Sequence, residues 1–244
     1  MIEILIMDRP GQDSSRYSWF FRIFGKPREE TKPTPVPIKP EKIVKKPIKQ
    51  PIAGSFETTF SHNNQTMLAQ LNEARHYQAI IKDVSRRYNI KPAIICGMGS
   101  RESHWGMALR PKGPGGRGDF ARRRPRGERR SAEPPDGGGY GRGLMQIDYD
   151  WHEFARTGKW KEPRENIIYA CVVLDRARKF FDKKTQGLSE EQKLRAMIAA
   201  YNGGATATLR SIKAGDDVDA RTTGHDYSKD VLDRSGWFQL HGWD

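Results

Sequence analysis

The sequence predicts an α+β domain that is predominantly α-helical, carries one small β-hairpin and follows a disordered, basic N-terminal region rich in proline and lysine. Three observations lead to this fold class. Runs between residues 66 and 238 place apolar side chains at the spacing of amphipathic helices. A glycine- and arginine-rich stretch over residues 110–143 interrupts them and is typical of a long loop or loose hairpin. The first 55 residues lack helical periodicity.

The N-terminal region divides into two parts. Residues 1–31 show no clean periodicity and are expected to be poorly ordered. Residues 32–55 interleave prolines with lysines. Because proline fixes φ and removes a backbone donor, this second part is predicted to be an extended, semi-rigid linker. The folded domain is therefore expected to span residues 56–244.

The first predicted helices lead to a glutamate. Apolar residues recur at helical spacing over residues 66–88. Pro92 then suits the first turn of a helix that is apolar nearly all round, which indicates burial. This buried helix ends next to Glu102.

The later helices have clear boundaries. Residues 163–181 form a helix with an apolar inner face. A capping box at residues 189–192 begins the next helix, and Gly203 with Gly204 ends it. A last helix is expected from about residue 225 to residue 238.

Composition limits the classes of partner. The chain has 244 residues, a net charge of +13 and 36% hydrophobic residues, enough for one sizeable domain with an appendage. A basic surface favours nucleic acid, an anionic membrane or an anionic cell wall, and charge alone does not choose among them. No apolar run approaches the roughly 20 residues that span a bilayer. No cleavable signal peptide is evident, so the location is left open.

Two cysteines, Cys96 and Cys171, each lie in an apolar run. They are interpreted as buried core thiols. A bridge between them stays open, since sequence does not show their separation. No cysteine–histidine spacing of a zinc site occurs, and neither a metal nor another cofactor is expected.

Three polar motifs stand at the ends of predicted elements. The first contains Glu102, the second runs over residues 143–148 and ends at Asp148, and the third is Tyr201-Asn202. A glycosidic bond breaks when its leaving oxygen is protonated while charge builds on the sugar. Burial against apolar groups would keep the Glu102 carboxyl protonated for this purpose. The alternative is a surface glutamate paired with Arg101.

In this order the motifs resemble the sugar-cleaving core of the lysozyme superfamily, and most closely the goose-type lysozymes. Arg101-Glu102-Ser103-His104 is similar to their catalytic motif, and the similarity covers roughly residues 65–242. The resemblance implies a lysozyme-like fold and a monomeric muramidase without a cofactor. Its expected reaction is inverting cleavage of the β-1,4 bond between N-acetylmuramic acid and N-acetylglucosamine in peptidoglycan glycan strands.

The resemblance also implies site residues. Glu102 is the expected general acid, and Asp148 with an earlier acid would position water. That earlier acid is either Asp119, which keeps a Gly-Asp pair, or Asp136, which keeps a short glycine-rich spacing to the second motif. Asp136 is slightly favoured, although aspartate also begins glycine turns. The arginine-rich segment between them departs from the family pattern.

A second set of residues is expected to bind the sugar. Aromatic faces suit sugar rings, and an amide offers both a donor and an acceptor. Each of these residues also has a structural alternative. The histidine could be partly buried, the aromatic residues could belong to the core, and the asparagine could cap a helix. The expected substrate-binding residues are Trp105, His152, Tyr201, Asn202 and Tyr227.

Two other functions stay open. A lytic transglycosylase shares the glutamate and the other two motifs, but needs no base to activate water. A non-catalytic wall-binding module is the second alternative. The arginine-rich loop could adhere to anionic wall polymers or be merely solvated. It has little aromatic interleaving, so specific nucleic-acid binding is not expected.

Overall fold

The computed structural model describes residues 54–118 and 134–244. Within them it contains eight α-helices and one two-stranded antiparallel sheet, so the predicted class, mostly helical with a small hairpin, is confirmed. The elements are α1 (Gln65–His76), α2 (Gln78–Tyr88), α3 (Pro92–Ser103), β1 (Gly141–Arg142), β2 (Ile147–Asp148), α4 (Glu153–Thr157), α5 (Pro163–Lys184), α6 (Glu190–Gly203), α7 (Ala205–Ala214), a 3₁₀ turn (Thr223–His225) and α8 (Tyr227–Leu240).

Helix α3 lies at the centre of the core. It begins at Pro92 as predicted, and every residue from 93 to 100 is buried. Its most extensive packing is against α8. Gly97 allows this close approach, since a Cβ there would lie 2.4 Å from Ser235 Oγ and 2.5 Å from the Val231 carbonyl oxygen. The apolar run noted in the sequence is therefore a helix enclosed by its neighbours.

The helices after the hairpin begin and end close to the predicted residues. Helix α6 carries the predicted capping box, in which the side chains of Ser189 and Gln192 each accept from the other's backbone N–H. It ends at Gly203, and Gly204 follows with φ of 83°. Two short elements, α4 and α7, were not predicted.

The region over residues 66–88 forms two helices. The break is at Tyr77, whose φ of -106° and ψ of 8° are not helical. Its ring stacks on Trp105 with centroids 5.6 Å apart. The same apolar spacing continues through both helices because both face one core. The break therefore coincides with a tertiary contact that periodicity does not reveal.

The hairpin pairs Gly141 with Asp148 and Arg142 with Ile147. Only the last two residues of the 143–148 motif are therefore strand, and residues 143–146 form the turn. Gly143 has φ of +69°, and a Cβ there would lie 2.4 Å from Asn166 Nδ2. Both the backbone and the packing thus require glycine at the start of the turn.

Several predictions fall on residues that the structure does not describe. Segment 1–31, most of the 32–55 linker, Asp119 and the arginines between residues 122 and 130 are all in this group. Within the described residues, no helix is both long and apolar enough to cross a membrane. Cys96 and Cys171 are free and buried, and burial raises the pKa of the Cys171 thiol to about 12.

Candidate active site

The fold brings the three polar motifs together around Glu102. This residue lies in the last turn of α3 and is half-buried. Its Oε1 accepts a hydrogen bond from the Tyr227 hydroxyl on α8. Ser103 Oγ donates to the Leu144 carbonyl oxygen at 2.6 Å, and the Tyr201 hydroxyl donates to the Met145 carbonyl oxygen at 2.7 Å. The end of α3, the hairpin turn and the end of α6 are thus joined by direct contacts.

Both tyrosines remain neutral hydroxyls beside this carboxylate. Burial, followed by the negative charge of Glu102, raises the pKa of Tyr201 and of Tyr227 well above the usual range. Tyr227 is only 2% exposed. It was predicted to offer its face to a sugar, but at this exposure it contacts Glu102 from within the core. Its hydroxyl holds the Glu102 carboxylate through this hydrogen bond.

Arg101 fastens the end of α3 to the start of α8. Its guanidinium donates to Asp226 at 3.1 Å and to Asp230 at 2.9 Å. It also lies over the Tyr227 ring, 5.9 Å from the centroid. The surface-glutamate alternative required Arg101 as the partner of Glu102. Arg101 instead holds the helix that carries Tyr227.

Asp148 ends β2 at the edge of the hairpin. Its Oδ1 accepts from the backbone N–H groups of Asp150 at 2.8 Å and Trp151 at 3.2 Å, which fixes the orientation of the carboxylate. Trp151 is 43% exposed, which is unusual for so large an apolar side chain. The sequence analysis missed Trp151. Its position three residues after Asp148 was the available signal.

Asp136 is committed to an ion pair. Its two carboxylate oxygens accept from Arg142 at 2.9 and 2.7 Å, and Oδ1 also accepts from the Gly138 N–H at 3.1 Å. The hydrogen bonds from Arg142 lower the pKa of Asp136. The glycine-turn interpretation therefore describes its backbone contact, and the slight preference for Asp136 as the water-positioning acid loses its support.

His152 immediately precedes α4 and is mostly buried. Its Nδ1 lies 3.2 Å from the Tyr169 hydroxyl, and the two rings meet edge-on with centroids 5.5 Å apart. Burial lowers the pKa of His152, although the charge of Asp148 acts in the opposite direction. These contacts favour the structural alternative for this histidine.

The lowered pKa makes stability depend on pH. Unfolded histidine has a pKa near 6.5, so below that pH the unfolded chain binds a proton that folded His152 resists. We expect the free energy of unfolding to fall as pH decreases from 7 to 5, and His152→Gln to flatten part of this slope. Urea denaturation at pH 5, 6 and 7 measures this dependence of the free energy of unfolding on pH. The control His76→Gln changes an exposed histidine and should keep the wild-type slope. An unchanged slope in His152→Gln would contradict the assignment of this pH dependence to His152.

The remaining predicted residues differ in accessibility. Asn202 is exposed at the end of α6, and its Oδ1 accepts from the Thr223 N–H at 2.8 Å. It is not the helix cap, which is Gly204. Trp105 is 1% exposed and donates from Nε1 to the Cys96 carbonyl oxygen at 3.1 Å. Its ring lies over Gly99, so the structure places Trp105 in the core, and sugar binding by this residue stays a prediction.

Comparison with known proteins finds relatives of this chain. The family model described as Lysozyme g matches residues 121–242. Lysozyme g of the ostrich, Struthio camelus, is 32% identical over 173 residues, which are 71% of this chain and 71% of that protein. The chain belongs to the goose-type lysozyme family. Lysozyme g of the chicken, Gallus gallus, is 30% identical over 173 residues, which are 71% of this chain and 68% of the chicken protein.

The family extends to more distant relatives. The human lysozyme g-like protein 2 is 25% identical over 169 residues, 69% of this chain and 64% of its own. In this goose-type lysozyme chain, the family model covers the hairpin and all helices from α4 to α8, while Glu102 precedes the matched segment. The contacts around Glu102 therefore provide evidence on the site that the family model does not.

Two buried polar residues support the site of this goose-type lysozyme domain, and the sequence analysis missed both. Asn166 on α5 accepts from the Met145 N–H at 2.8 Å and donates to the Arg142 carbonyl oxygen at 3.0 Å, which holds the hairpin turn. Asp219 accepts from Ser228 N–H at 2.8 Å and Ser228 Oγ at 2.6 Å, beside Tyr227. A polar residue on the inner face of α5 was a weak signal for Asn166. Asp219 had no local signal.

Proposed function

We propose that this protein is a muramidase that hydrolyses the β-1,4 bond between N-acetylmuramic acid and N-acetylglucosamine in peptidoglycan. Membership of the goose-type lysozyme family supports a peptidoglycan-degrading glycosidase. The observation that carries the proposal is the half-buried Glu102 carboxylate, which is oriented by Tyr227 where α3, the hairpin turn and α6 meet.

Glu102 acts as the general acid. The leaving oxygen of the glycosidic bond takes its proton as the bond to the sugar breaks. The hydrogen bond from Tyr227 fixes the orientation of the carboxyl group that delivers this proton. Tyr201 supports the arrangement from the other side, because its hydroxyl holds the turn against the end of α6.

Water activation is assigned to Asp148 together with Asp119. Asp148 has an orientation fixed by backbone donors. Asp136 is a weaker base because Arg142 binds both of its oxygens, and this favours Asp119 as the second acid. Gly118, which precedes Asp119, is buried against Gln146 of the hairpin turn, since a Cβ on Gly118 would lie 2.2 Å from Gln146 Oε1. Gly118 thus lies beside the turn.

The sugar contacts are assigned to accessible residues. Trp151 offers an exposed aromatic surface directly after Asp148, and Asn202 offers an exposed amide at the end of α6. His152 stays a candidate through its proximity to the charge of Asp148. With water placed opposite the leaving group, the expected outcome is inversion at the anomeric carbon.

Product analysis tests the function. The full chain is incubated with purified sacculi, the soluble fragments are analysed by mass spectrometry, and the first-formed anomer is followed by proton NMR. Hydrolysis should give muropeptides with reducing ends, which appear first as the α-anomer. Anhydro-muropeptides would instead identify a lytic transglycosylase. Binding to sacculi without release of any fragment would identify a wall-binding module.

A further inference from the structure

A polar cavity lies beside the hairpin. It has a volume of about 340 Å³, and among the described residues its lining includes neither Glu102 nor Tyr201 nor Tyr227. Four of its side chains are cationic and one is a carboxylate, with Trp160 and glycine backbone making up the remainder. The charged residues are Arg110, Arg117, Arg142, Lys161 and Asp136. The cavity is therefore strongly positive and separate from the carboxylate site.

Three of the four cationic residues are arginines that face each other across isolated β-bridges. Arg110 pairs with Arg117, and Arg117 pairs with Arg142, both in antiparallel bridges. Directly paired residues project to the same face, and like charges in such pairs destabilise a sheet. The three arginines therefore lie side by side on one face, where Asp136 pairs with Arg142.

Arg142 forms the buried wall of the cavity. Its side chain is fully buried, and its guanidinium carbon lies 4.7 Å from the ring centroid of Tyr149 and 4.9 Å from that of Trp160. The terminal nitrogens bind Asp136. Its Nε is buried and has no hydrogen-bond partner among the described residues. Buried donors are usually satisfied, so an unpaired donor in a residue that lines the cavity is unusual.

The exposed cations are held at the rim of the cavity. Arg110 Nη1 donates to the Leu109 carbonyl oxygen at 3.0 Å. Lys161 Nζ lies 5.1 Å from the centroid of Trp160, the ring that also packs on Arg142. Both side chains are therefore positioned by local contacts at the cavity. A guanidinium and an ammonium group that line one cavity favour an anion with several acceptor oxygens.

We propose that this cavity binds a phosphate group, as carried by polyol-phosphate polymers. A phosphate has oxygens in several directions and can accept from several cations at once, whereas a planar carboxylate is matched by a single arginine. Nucleic acid is the less suitable source of phosphate. Trp160 is 8% exposed and covered by two cations, so it offers no face on which a base could stack. The proposal does not depend on the proposed function.

Calorimetric titration of the full chain tests the site, with inorganic phosphate and poly(glycerol phosphate) as probes. The cavity variant is Arg110→Gln with Lys161→Gln. The control is Lys112→Gln with Lys159→Gln, which removes the same charge from exposed residues outside the lining. We expect the cavity variant to bind at least about tenfold more weakly, and the control to stay within about threefold of wild type. Thermal melting verifies that both variants fold.

The outcomes separate the sources of phosphate. If the cavity variant alone loses affinity for inorganic phosphate, the site is supported and the phosphate group suffices for binding. If the cavity variant loses affinity only for the polymer, the site is supported and the polyol chain also contributes to binding. Equal loss in both double variants, or no binding by wild type, overturns the proposal. Tighter, cavity-dependent binding of an oligonucleotide with as many phosphates would replace the polymer with nucleic acid. Wild type, the cavity variant and the control variant should cleave sacculi equally fast once polyol-phosphate polymers have been removed from the sacculi.

Discussion

Glu102→Gln should lower the rate of peptidoglycan hydrolysis on the order of 10²- to 10⁴-fold, because an amide cannot deliver the proton that the leaving oxygen requires. The substitution keeps the shape of the side chain, and Oε1 can still accept from the Tyr227 hydroxyl. The fold should therefore survive. Release of soluble muropeptides from purified sacculi, at equal concentrations of folded protein, measures the loss. Affinity for sacculi should change much less than the rate.

A matched control separates the effect of removing the Glu102 carboxylate from the effect of losing one negative charge. Glu191→Gln makes the same chemical change at an exposed position in the first turn of α6. Its activity should be within about twofold of wild type, because exposed charges interact weakly through water. If Glu102→Gln cleared sacculi as fast as Glu191→Gln, the assignment of Glu102 as the acid would be wrong.

Asp219→Ala should lower the free energy of unfolding by about 3 kcal/mol, since buried donors left without an acceptor cost roughly 1–3 kcal/mol each. Asp219 is fully buried and accepts from both Ser228 N–H and Ser228 Oγ at the start of α8. It also accepts from Arg195 at 3.2 Å. Urea denaturation monitored by circular dichroism measures the change.

The effect should extend to the site, because Ser228 follows Tyr227 directly. Loosening the first turn of α8 would move the hydroxyl that orients Glu102, so the folded fraction of Asp219→Ala should also hydrolyse peptidoglycan more slowly. Asp216→Ala removes an exposed aspartate from the same loop and should stay within about 0.5 kcal/mol of wild type. Equal stability of the two variants would show that Asp219 does not hold α8.

Helix boundaries were predictable where local chemistry determines them. Proline at the start of α3 and the capping box of α6 satisfy or remove backbone donors within a few residues of the chain, so they act the same way in any fold. The break at Tyr77 was not predictable in this way. It accompanies stacking on Trp105, a residue that is distant in sequence.

The candidate site was predictable as a set of motifs and only partly as a set of roles. Glu102, Asp148, Tyr201 and Asn202 are at the ends of elements, where a sequence pattern can locate them. The roles of Trp105 and Asp136 could not be predicted in this way, because aromatic and acidic residues look the same in sequence whether they face a cleft or a neighbour. The burial of Trp105 and the pairing of Asp136 with Arg142 distinguish these cases.

Spacing along the chain was enough to predict the helical class, the order of the three polar motifs and the likeness to goose-type lysozymes. The three-dimensional contacts were needed to show which groups touch Glu102, which acid pairs with an arginine, and where Asn166 and Asp219 bind. Burial and hydrogen bonding depend on residues far apart in sequence. A pattern read along one chain cannot contain them.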